Sequence, residues 1–593
     1  PYPYEYFTTD KLNRFDETAL PPIGEFYSSL SLKSITPEEY EALQKLFVKS
    51  GCRNLRDLCM FYMRSDVMLL ADLLQTYRLT TMAENGVDMC GFLTVSQMSM
   101  AIYAKMQGND MGIVYPHNKE IYDMFHVYGG ISSILTKHVE ANVPNTDTYN
   151  PALPTKHFRA LDATALYASV MHNYKMPYAE YTFVEGANTW TQQMLMGIDT
   201  EGDYHHQVEC DIMLPAAYHD DPRHFNFPLL LSQRSIADTE LSTRQLSYRS
   251  AATSGGFTKL VTDFLPKQHY TIDLRMLQVM CRSGYVVTKV HKVMRSKQKL
   301  LYDKFIAENI AKRVASNDES VKTIKKLLNN SLYGKQLQAS VCQDDKFLHP
   351  KDDAKKIYKT INRSTFKTGF LLNDDVFMTQ SHGTKQIEST MRHIGATILW
   401  MSKLEMFNHW CALVEVFGDR IELCAIDTDS LMCAITTDDL TTEMGKVAHR
   451  FDRANFPKDH PFRDTSTKGK LGTLKDESWD TATVTAFIGM QSKSYCMRSD
   501  GNGVAKLTLK GIGRAHAKKL TYDDYADVLL NHNPHDDLTF HTITRVKNVL
   551  RFVQQKKTML SAFDDKRYLS NEPTCFRTAP HGYAGSNPLY KPM

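Results

Sequence analysis

Several stretches of the chain repeat apolar residues every three or four positions, which is the spacing of an amphipathic helix. This pattern predicts a helix over residues 54–84. It also predicts a pair of helices at about 296–315 and 317–334, and a long helix over 385–417. The second helix of the pair opens with Ser, Asn, Asp and Glu at 316–319, which is the spacing of a capping box.

Shorter apolar runs predict strands. Residues 157–174 (HFRALDATALYASVMHNY) predict a short strand that leads into a helix. The runs IELCAI at 421–426 and LMCAI at 431–435 are compatible with strands, and DTDS at 427–430 has the composition of a turn. We therefore predict a β-hairpin with an acidic turn. Residues 181–260 mix short apolar runs with Pro, Gly and Ser, which predicts irregular structure.

Length and composition indicate a globular protein of several domains. The chain has 593 residues, too many for a single core, and 23% of them are charged. It has no long uninterrupted apolar run, so we expect no membrane span and a soluble, intracellular protein. The eleven cysteines include no C-x-x-C pair, which fits a reducing compartment better than a zinc site. The first residue is Pro rather than Met, and we expect further sequence upstream.

Charge is unevenly distributed along the chain. The net charge is only +3, but residues 491–593 hold 16 Lys and Arg against 9 Asp and Glu, a local +7 that leaves −4 for the rest. A basic C-terminal part beside an acidic body is typical of a protein with one surface for a polyanion and another for cations. A solvated basic face explains the same charge equally well.

The predicted acidic turn is a candidate metal site. Asp427 and Asp429 repel each other unless a cation lies between them. Oxygen ligands favour Mg²⁺ or Mn²⁺. A calcium-binding EF-hand loop starting at Asp427 is excluded, because Met432 stands where that loop needs Gly and Asp438 where it needs Glu. A solvated turn without a metal remains an alternative, since Asp and Ser are common turn residues.

Two further features could complete such a site. Asp162 ends a predicted strand and precedes a predicted helix, so it could supply another carboxylate. On the helix over 317–334, Lys326, Asn330 and Tyr333 share one face, with Lys322 one turn earlier. A lysine, an amide and an aromatic ring on one face suit a triphosphate and a base. An ordinary polar helix surface would look the same.

Taken together and in this order, these features resemble the three polymerase motifs of family B DNA polymerases. The motifs are LDATALYASV at 161–170, KLLNNSLYG at 326–334 and IDTDS at 426–430. Three shorter matches are the Lys-x-Tyr motif, the Tyr-x-Gly-Gly linker and the third exonuclease motif, which correspond to KSY at 493–495, YGG at 128–130 and YMRSD at 62–66. The resemblance covers nearly the whole chain.

The protein-primed branch of that family is the most similar. It comprises polymerases of phages, adenoviruses and Polinton (Maverick) transposons. Four segments resemble the transposon and related viral type: PYPYEYF at 1–7, LPPIGEFYSSL at 20–30, GKLGTLKDE at 469–477 and FDDKRYL at 563–569.

The resemblance implies an α/β (α+β) right-hand polymerase fold with palm, fingers and thumb. A C-terminal part of a ribonuclease H-like 3′–5′ exonuclease domain would precede it, and the chain would be incomplete at its N-terminus. The implied domains are the exonuclease remnant (1–115), linker and palm with motif A and an insertion (116–294), fingers with motif B (295–335), palm with motif C (336–488) and a basic thumb (489–593).

The implied activity is DNA-directed DNA synthesis, in which a dNMP is added to a primer 3′-hydroxyl with two Mg²⁺ or Mn²⁺ ions. Asp162 and Asp429 would bridge the ions, Asp427 would assist, and Ala163 would lend a backbone carbonyl. The implied partners are primer–template DNA, dNTPs and a terminal priming protein. We expect a monomer that works at the site of DNA replication, which is the nucleus in a eukaryotic host.

The resemblance also assigns roles to residues around these carboxylates. Lys326 and Arg313 would neutralise the triphosphate, and Tyr167 would be the steric gate that excludes ribonucleotides. Tyr333 would pack on the nascent base pair, and further nucleotide contacts would come from Leu166 and Asn330. Primer and template contacts would come from Lys493, Tyr495, Gly129, Gly130, Ser331 and Gly334.

An exonuclease remnant would contribute Tyr62 and Asp66. Only 61 residues precede Tyr62, and they contain no Asp-x-Glu, so we expect no complete proofreading site in this chain. The sequence departs from the family at Ala425, where a Tyr that packs near the primer end is common, and at Val127 in the linker motif. Motif A is also looser than usual, with Ala168 at one of its variable places.

Two other functions remain compatible with the same residues. One is a catalytically inactive DNA-binding relic, although the three polymerase carboxylates and Lys326 are all present. The other is a metal-dependent phosphohydrolase, which would leave the helix over 317–334 and the basic C-terminal part without a role.

Overall fold

The computed structural model describes residues 2–7, 12–28, 31, 33–108, 111–116, 118–249, 257–337, 343–382, 390–478, 483–533, 535, 537–546 and 549–590. The α-helices in these ranges are α1 (Pro37–Lys49), α2 (Leu55–Asn85), α3 (Val95–Met106), α4 (Lys119–Met124), α5 (Leu166–Asn173), α6 (Gln192–Met196), α7 (Pro222–Asn226), α8 (Thr243–Ser247), α9 (Leu274–Arg282), α10 (Asp303–Ala315), α11 (Glu319–Gln336), α12 (Ala354–Ile361), α13 (Arg392–Phe417), α14 (Leu440–Gly445), α15 (Arg514–Ala517) and α16 (Tyr522–Leu530).

The strands form several sheets of mostly antiparallel strands. In chain order they are β1 (Ser132–Ile134), β2 (His138–Glu140), β3 (Lys156–Ala163), β4 (Met176–Phe183), β5 (Tyr204–Met213), β6 (Leu230–Arg234), β7 (Lys259–Asp263), β8 (Lys267–Asp273), β9 (Val286–Lys299), β10 (Gln343–Leu348), β11 (Phe366–Asn373), β12 (Val376–His382), β13 (Ile421–Asp427), β14 (Ser430–Thr436), β15 (Phe451–Asp452), β16 (Leu474–Asp476), β17 (Val484–Gln491), β18 (Ser494–Ser499), β19 (Val504–Leu509), β20 (Asp537–Val546), β21 (Val549–Thr558), β22 (Tyr568–Leu569) and β23 (Thr578–Ala579).

A central sheet carries the predicted acidic turn. Its strand order is β1-β13-β14-β3-β16-β15. Alternate residues of β3 point to opposite faces: Leu161 belongs to the main core with α13, whereas Phe158 and Ala160 belong to a second core. That second core is completed by a four-stranded outer sheet of order β19-β18-β17-β2. Because the central sheet is covered on both faces, its strands read as nearly continuous apolar runs.

The predicted hairpin and the strand–helix unit before it are confirmed. Strands β13 and β14 pair as a hairpin, with Asp427 opposite Ser430. The turn between them is only Thr428 and Asp429. Strand β3 leads directly into α5, as the pattern over 157–174 predicts.

Three predicted long helices are confirmed. One lies within a residue of its predicted ends, and the other two begin later in the chain than predicted. Helix α2 matches the prediction over 54–84. Helix α10 begins at Asp303, because residues up to Lys299 extend β9 and pair with β4. Tertiary strand pairing has overridden the helical spacing there. Helix α13 begins at Arg392; part of the predicted start at 385 lies outside the described residues.

The predicted capping box of the second helix is wrong. The N-cap of α11 is Asp318, whose carboxylate accepts a hydrogen bond from the backbone of Ser320 at 2.7 Å. Ser316 instead ends α10 and accepts a hydrogen bond from the backbone N–H of Asp318. An Asp at the N-cap also carries the charge that a helix N-terminus favours, which explains why it replaces the Ser.

The prediction of irregular structure over 181–260 is wrong in part. Strand β5 in this range belongs to a four-stranded sheet of order β4-β9-β5-β8. Its main partner, β9, lies outside this range, so the local sequence does not show that β5 has a strand to pair with. A separate small sheet of order β10-β12-β11, with α12, lies between α11 and α13 in the chain.

Helices α10 and α11 form a pair joined by a short loop, and the body of the protein anchors it. The buried side chain of Lys325 forms an ion pair with Glu84 on α2. The Ser99 hydroxyl of α3 donates to the backbone oxygen of Leu328 at 2.7 Å. These contacts fix one face of α11 and leave the opposite face open.

The expected domain boundaries stay predictions, and the elements near them are as follows. The described residues up to 115 contain helices and no strand. The expected cuts at 294/295 and 488/489 fall inside β9 and β17. The segment 562–590 folds back onto β1 and the region around α7, away from the β20–β21 hairpin. No helix in the described part of the chain is long and apolar enough to cross a membrane.

Candidate active site

Two of the predicted carboxylates come together at one end of the central sheet. In the β3–β14 ladder Asp162 lies opposite Ser430, the residue after the acidic turn. The backbone N–H of Ala163 donates to the backbone oxygen of Asp429 at 2.7 Å. Asp162 near the end of β3 and Asp429 in the turn before β14 are therefore neighbours at one end of the sheet, although 267 positions separate them in the chain.

The acidic turn is held in shape by the predicted linker. Thr428 has a left-handed φ of 63°, which is unfavourable for a β-branched residue. Its backbone N–H donates to the oxygen of Ile131 at 2.7 Å. Gly130 packs so closely that an added Cβ would lie 2.6 Å from the Thr428 hydroxyl oxygen. Glycine is needed at position 130 for this close approach.

The electrostatics of the two carboxylates suit a cation. Burial, followed by the charges of Asp429 and Glu477, raises the pKa of Asp162 to about 7. Burial also raises the pKa of Asp429, and the charge of Asp427 adds to this. A divalent ion between such carboxylates would stabilise their charged forms.

Asp427 is placed differently from the other two. The ammonium of Lys493 lies 2.7 Å from one of its carboxylate oxygens and 3.0 Å from the other. The nearer oxygen is buried and lacks a hydrogen bond of good geometry. Within the described ranges, no three His, Cys, Asp or Glu side chains are arranged to hold a metal ion as they stand. Asp162 and Asp429 are thus the pair whose charge is least compensated.

The sequence analysis missed two charged residues beside the pair. The backbone N–H of Glu477 donates to the oxygen of Ala160 on β3, and its carboxylate pairs with Lys506 at 2.9 Å. The charges of both residues act on Asp162. Glu477 is the last residue of the GKLGTLKDE segment, which was noted only as a resemblance. Lys506 lies on β19 and had no local signal.

The GKLGTLKDE segment also packs against motif A. Gly472 approaches α5 so closely that a Cβ would lie 2.4 Å from the Ser169 hydroxyl oxygen. The backbone N–H of Gly472 donates to the oxygen of Thr164, and that of Thr164 donates to the oxygen of Thr473. These bonds hold the turn from β3 into α5, where Ala165 has a left-handed φ of 49°.

Motifs A and B meet through two tyrosines. The rings of Tyr167 on α5 and Tyr333 on α11 stack at a centroid distance of 4.3 Å with an interplanar angle of 13°. Burial raises the pKa of Tyr167 to about 12, with a contribution from the charge of Asp429. The stack therefore lies beside the carboxylates and joins the sheet to the open face of α11.

Comparison with known proteins decides the family. Residues 33–410, more than half of the chain, match the family of DNA polymerase type B, organellar and viral. The chain belongs to this family. Family membership confirms the expected right-hand polymerase fold of mixed helix and sheet and the expected activity, DNA-directed DNA synthesis.

Solved structures of type B polymerases are similar to the chain at low identity. The Phi29 DNA polymerase complexed with primer-template DNA and incoming nucleotide is 15% identical over 92% of this chain and 75% of that one, with a TM-score of 0.48. The orthorhombic crystal form of the Phi29 enzyme is 14% identical over 91% and 78%, with a TM-score of 0.49. The family B polymerase of Pyrobaculum calidifontis is 10% identical over 90% and 52%, with a TM-score of 0.29. Among curated protein sequences none matches this chain.

The predicted nucleotide side of this polymerase is open. Lys326 and Asn330 are exposed on α11, and the charge of Lys326 acts on Asp162 to lower its pKa, against the larger effect of burial. Arg313 is exposed in the last turn of α10, and no contact joins it to the carboxylates. Leu166 is buried in the main core behind the tyrosine stack.

The remaining candidate residues on α11 and in the linker differ in exposure and in how closely other atoms pack against them. Ser331 is half-buried, whereas Gly334 is exposed with no atom within 4 Å of a Cβ built there. A Cβ built on Gly129 would also have no atom within 4 Å, whereas one built on Gly130 would meet Thr428. Primer or template contacts at these four positions stay predictions.

The two residues predicted to contact the primer, Lys493 and Tyr495, differ in exposure. Lys493 lies in the two-residue turn between β17 and β18 and reaches Asp427. Tyr495 is only 5% exposed and packs in the second core near Phe487. Ala425, which replaces a Tyr of the family, is buried in the same core. The structure thus brings Lys493, but not the ring of Tyr495, to the open end of the site.

The exonuclease candidates lie on α2, in the N-terminal helical part. The Tyr62 ring stacks on Tyr2 at a centroid distance of 5.0 Å, and its hydroxyl accepts a hydrogen bond from Tyr4 at 2.8 Å. The bond to Tyr4, then burial and Asp66, raise the pKa of Tyr62 above its usual range. An exonuclease role for Tyr62 and Asp66 stays a prediction.

Family B polymerases generally use divalent metal ions, and their relatives bind primer–template DNA. The carboxylate pair fits such an ion, because it is half-buried and like-charged. Within the described residues no side chain donates a hydrogen bond to the carboxylate of Asp162 or Asp429.

Proposed function

We propose that the chain polymerises DNA at the Asp162–Asp429 pair with two Mg²⁺ or Mn²⁺ ions. Asp162 and Asp429 would hold the ions, with the backbone carbonyl of Ala163 as a further ligand. Bound there, the ions supply charge stabilisation to the attacking and leaving oxygens of the phosphoryl transfer. The observation that carries the proposal is the juxtaposition of this half-buried, like-charged carboxylate pair with the Tyr167–Tyr333 stack.

The open face of α11 would hold the incoming dNTP. Lys326 is exposed and close enough to act on Asp162, which supports a role in neutralising the triphosphate. Arg313 and Asn330 would assist from their exposed positions. Tyr333 would pack on the new base pair, with Tyr167 beneath it as the steric gate. Such a site works by positioning and charge neutralisation, as phosphoryl transfer generally requires.

The primer end would meet the site on the side of Lys493. In the free protein this lysine pairs with Asp427, so it would exchange that contact for one with the primer end. The basic segment 491–593 would follow the phosphate backbone of the duplex. All the proposed parts lie in one chain, which supports a monomer.

Initiation from a terminal protein is a finer proposal. It rests on the resemblance of PYPYEYF, LPPIGEFYSSL, GKLGTLKDE and FDDKRYL to the protein-primed branch. We propose that the chain transfers the first dNMP to a protein hydroxyl at the site of genome replication. The test is to incubate the polymerase with labelled dNTP and the candidate priming protein; absence of label covalently bound to protein would contradict it.

Template-directed extension tests the main proposal. The wild-type chain is incubated with a primer–template, single dNTPs and added Mg²⁺ or Mn²⁺. We expect only the dNTP complementary to the template to be added, only with the ion, and not by Asp162→Asn. Asp438→Asn, an exposed carboxylate close to the same sheet, should keep the wild-type rate. Extension by Asp162→Asn at the rate of Asp438→Asn would contradict the assignment.

A further inference from the structure

The FDDKRYL segment packs against an edge strand beside the active site, and the polymerase mechanism proposed above does not use it. Residues 562–569 lie against β1, the edge strand that pairs with β13 and has Ser132 opposite Asp427. The side-chain ammonium of Lys566 donates to the backbone oxygen of Ser132 at 2.7 Å. The same oxygen accepts a hydrogen bond from the hydroxyl of Ser492, also at 2.7 Å.

Ser132 is therefore where three chain segments meet. Strand β1 holds Asp427 across the ladder, the β17–β18 turn supplies Ser492, and the C-terminal segment supplies Lys566. A carbonyl oxygen has two lone pairs, so the two donors satisfy it fully. A second lysine joins the same three segments. The side chain of the fully buried Lys137, just beyond β1, donates hydrogen bonds to the backbone oxygens of Met490 on β17 and Ala562 in the C-terminal segment.

The β17–β18 turn needs such an external support. Lys493 has a left-handed φ of 61°, a conformation that is unfavourable for a non-glycine residue and persists only where neighbouring contacts hold it. Lys493 also carries the side chain that reaches Asp427 at 2.7 Å. The bond from Ser492 to Ser132 is a second side-chain contact between this turn and the central sheet, one residue before Lys493.

The C-terminal segment is rigid enough to act as the support. Arg567 is 2% exposed and donates to the backbone oxygens of Phe225 and Thr578, each at 2.9 Å. The Gln245 amide donates to the backbone oxygens on both sides of Lys566, those of Asp564 and Arg567. Lys566 thus projects from a segment that is anchored on the body of the protein.

We propose that Lys566 is a positioning residue for polymerisation, which fixes the Ser132 carbonyl and so holds the Ser492–Lys493 turn beside Asp427. Its ammonium does not touch the reacting atoms; it acts through Lys493. The inference rests on the polymerase function and on the primer-side role proposed for Lys493. It gives the FDDKRYL segment a function in setting the primer end, in addition to closing the fold.

The test separates primer-side from nucleotide-side kinetics. Lys566→Met should weaken primer–template binding or slow incorporation about tenfold, as expected for loss of a hydrogen bond from a charged donor, and leave the KM for dNTP within about twofold. Lys566→Arg should restore most of the loss, because a guanidinium can also donate to a carbonyl. Lys259→Met is the matched control: it removes a lysine that pairs with Asp565 at 2.6 Å in the same segment but does not touch Ser132.

A second variant keeps the test decisive if Lys566→Met folds poorly. Ser492→Ala removes the other donor to the same oxygen and should give the same kinetic pattern, with less than additive loss in the double variant. An effect of Lys566→Met on thermal stability alone, an equal rise in the KM for dNTP, or wild-type kinetics of Ser492→Ala would overturn the proposal. Failure of the polymerase assignment would show differently, as undiminished extension by Asp429→Asn.

Discussion

The contact between Gly130 and Thr428 makes a prediction that can be worked out from distances. A Cβ at position 130 would lie 2.6 Å from the Thr428 hydroxyl oxygen and 2.8 Å from its methyl carbon, whereas ordinary contacts begin at 3.4 Å. Gly130→Ala must therefore separate the linker from the acidic turn by about 0.8 Å. Thr428 cannot simply rotate away at no cost, because it is β-branched and already left-handed.

The expected effect is on rate more than on folding. Overpacking of this kind costs about 1–3 kcal/mol of stability. A shift approaching 1 Å in a group that positions the reaction costs about 100-fold in rate. The turn that would move carries Asp429, one of the two half-buried carboxylates of the candidate site. We therefore expect Gly130→Ala to fold, with a lower Tm, and to incorporate a single dNTP about 100-fold more slowly than the wild type.

Single-turnover incorporation on a primer–template measures this rate, and two further variants test the cause. Adding Thr428→Gly to Gly130→Ala removes the three atoms nearest to the new methyl group and suits the left-handed φ, so the rate should recover. Gly129→Ala adds the same methyl group where no atom lies within 4 Å, so its Tm should equal that of the wild type. A wild-type rate for Gly130→Ala, or no recovery in a well-folded double variant, would refute the reasoning.

Three other predictions concern the nucleotide and primer sides. Tyr167→Val should raise the ratio of rNTP to dNTP incorporation, whereas Tyr167→Phe, which keeps the ring stacked on Tyr333, should not; an unchanged ratio in Tyr167→Val would place the gate elsewhere. Lys326→Ala should raise the KM for dNTP about tenfold or more through loss of a charge-assisted contact to phosphate, and unchanged steady-state kinetics would rule the contact out. Lys493→Met should weaken primer–template binding and leave the KM for dNTP unchanged; equal changes in both would argue against a primer-side role.

The parts of the site that could be predicted from the sequence are those with a local signature. Asp427 and Asp429 stand in a short turn between two apolar runs, and Lys326 and Tyr333 share a helical face. Such patterns depend only on strand and helix periodicity, which the chain carries locally. Asp162 is a candidate ligand because it ends a predicted strand, and the order of the motifs in the family supports its pairing with this turn.

The contacts that could not be predicted are those that depend on the tertiary structure. The charges of Glu477, just after β16, and Lys506 on β19 act on Asp162 from positions far along the chain, and neither residue has a local pattern that indicates a charge network. The ion pair of Asp427 with Lys493 is of the same kind. The start of α10 was predicted too early because residues up to Lys299 pair as a strand with β4, and only the partner strand reveals that.

The central claim is that Asp162 and Asp429 are the catalytic carboxylates of this polymerase. The most direct test is rapid-quench incorporation of one dNTP by Asp429→Asn, with primer–template binding measured on the same preparation by fluorescence anisotropy. We expect incorporation to be lost while the Kd for DNA stays close to that of the wild type and of Asp438→Asn. Incorporation by Asp429→Asn at a rate comparable to the wild type would contradict it.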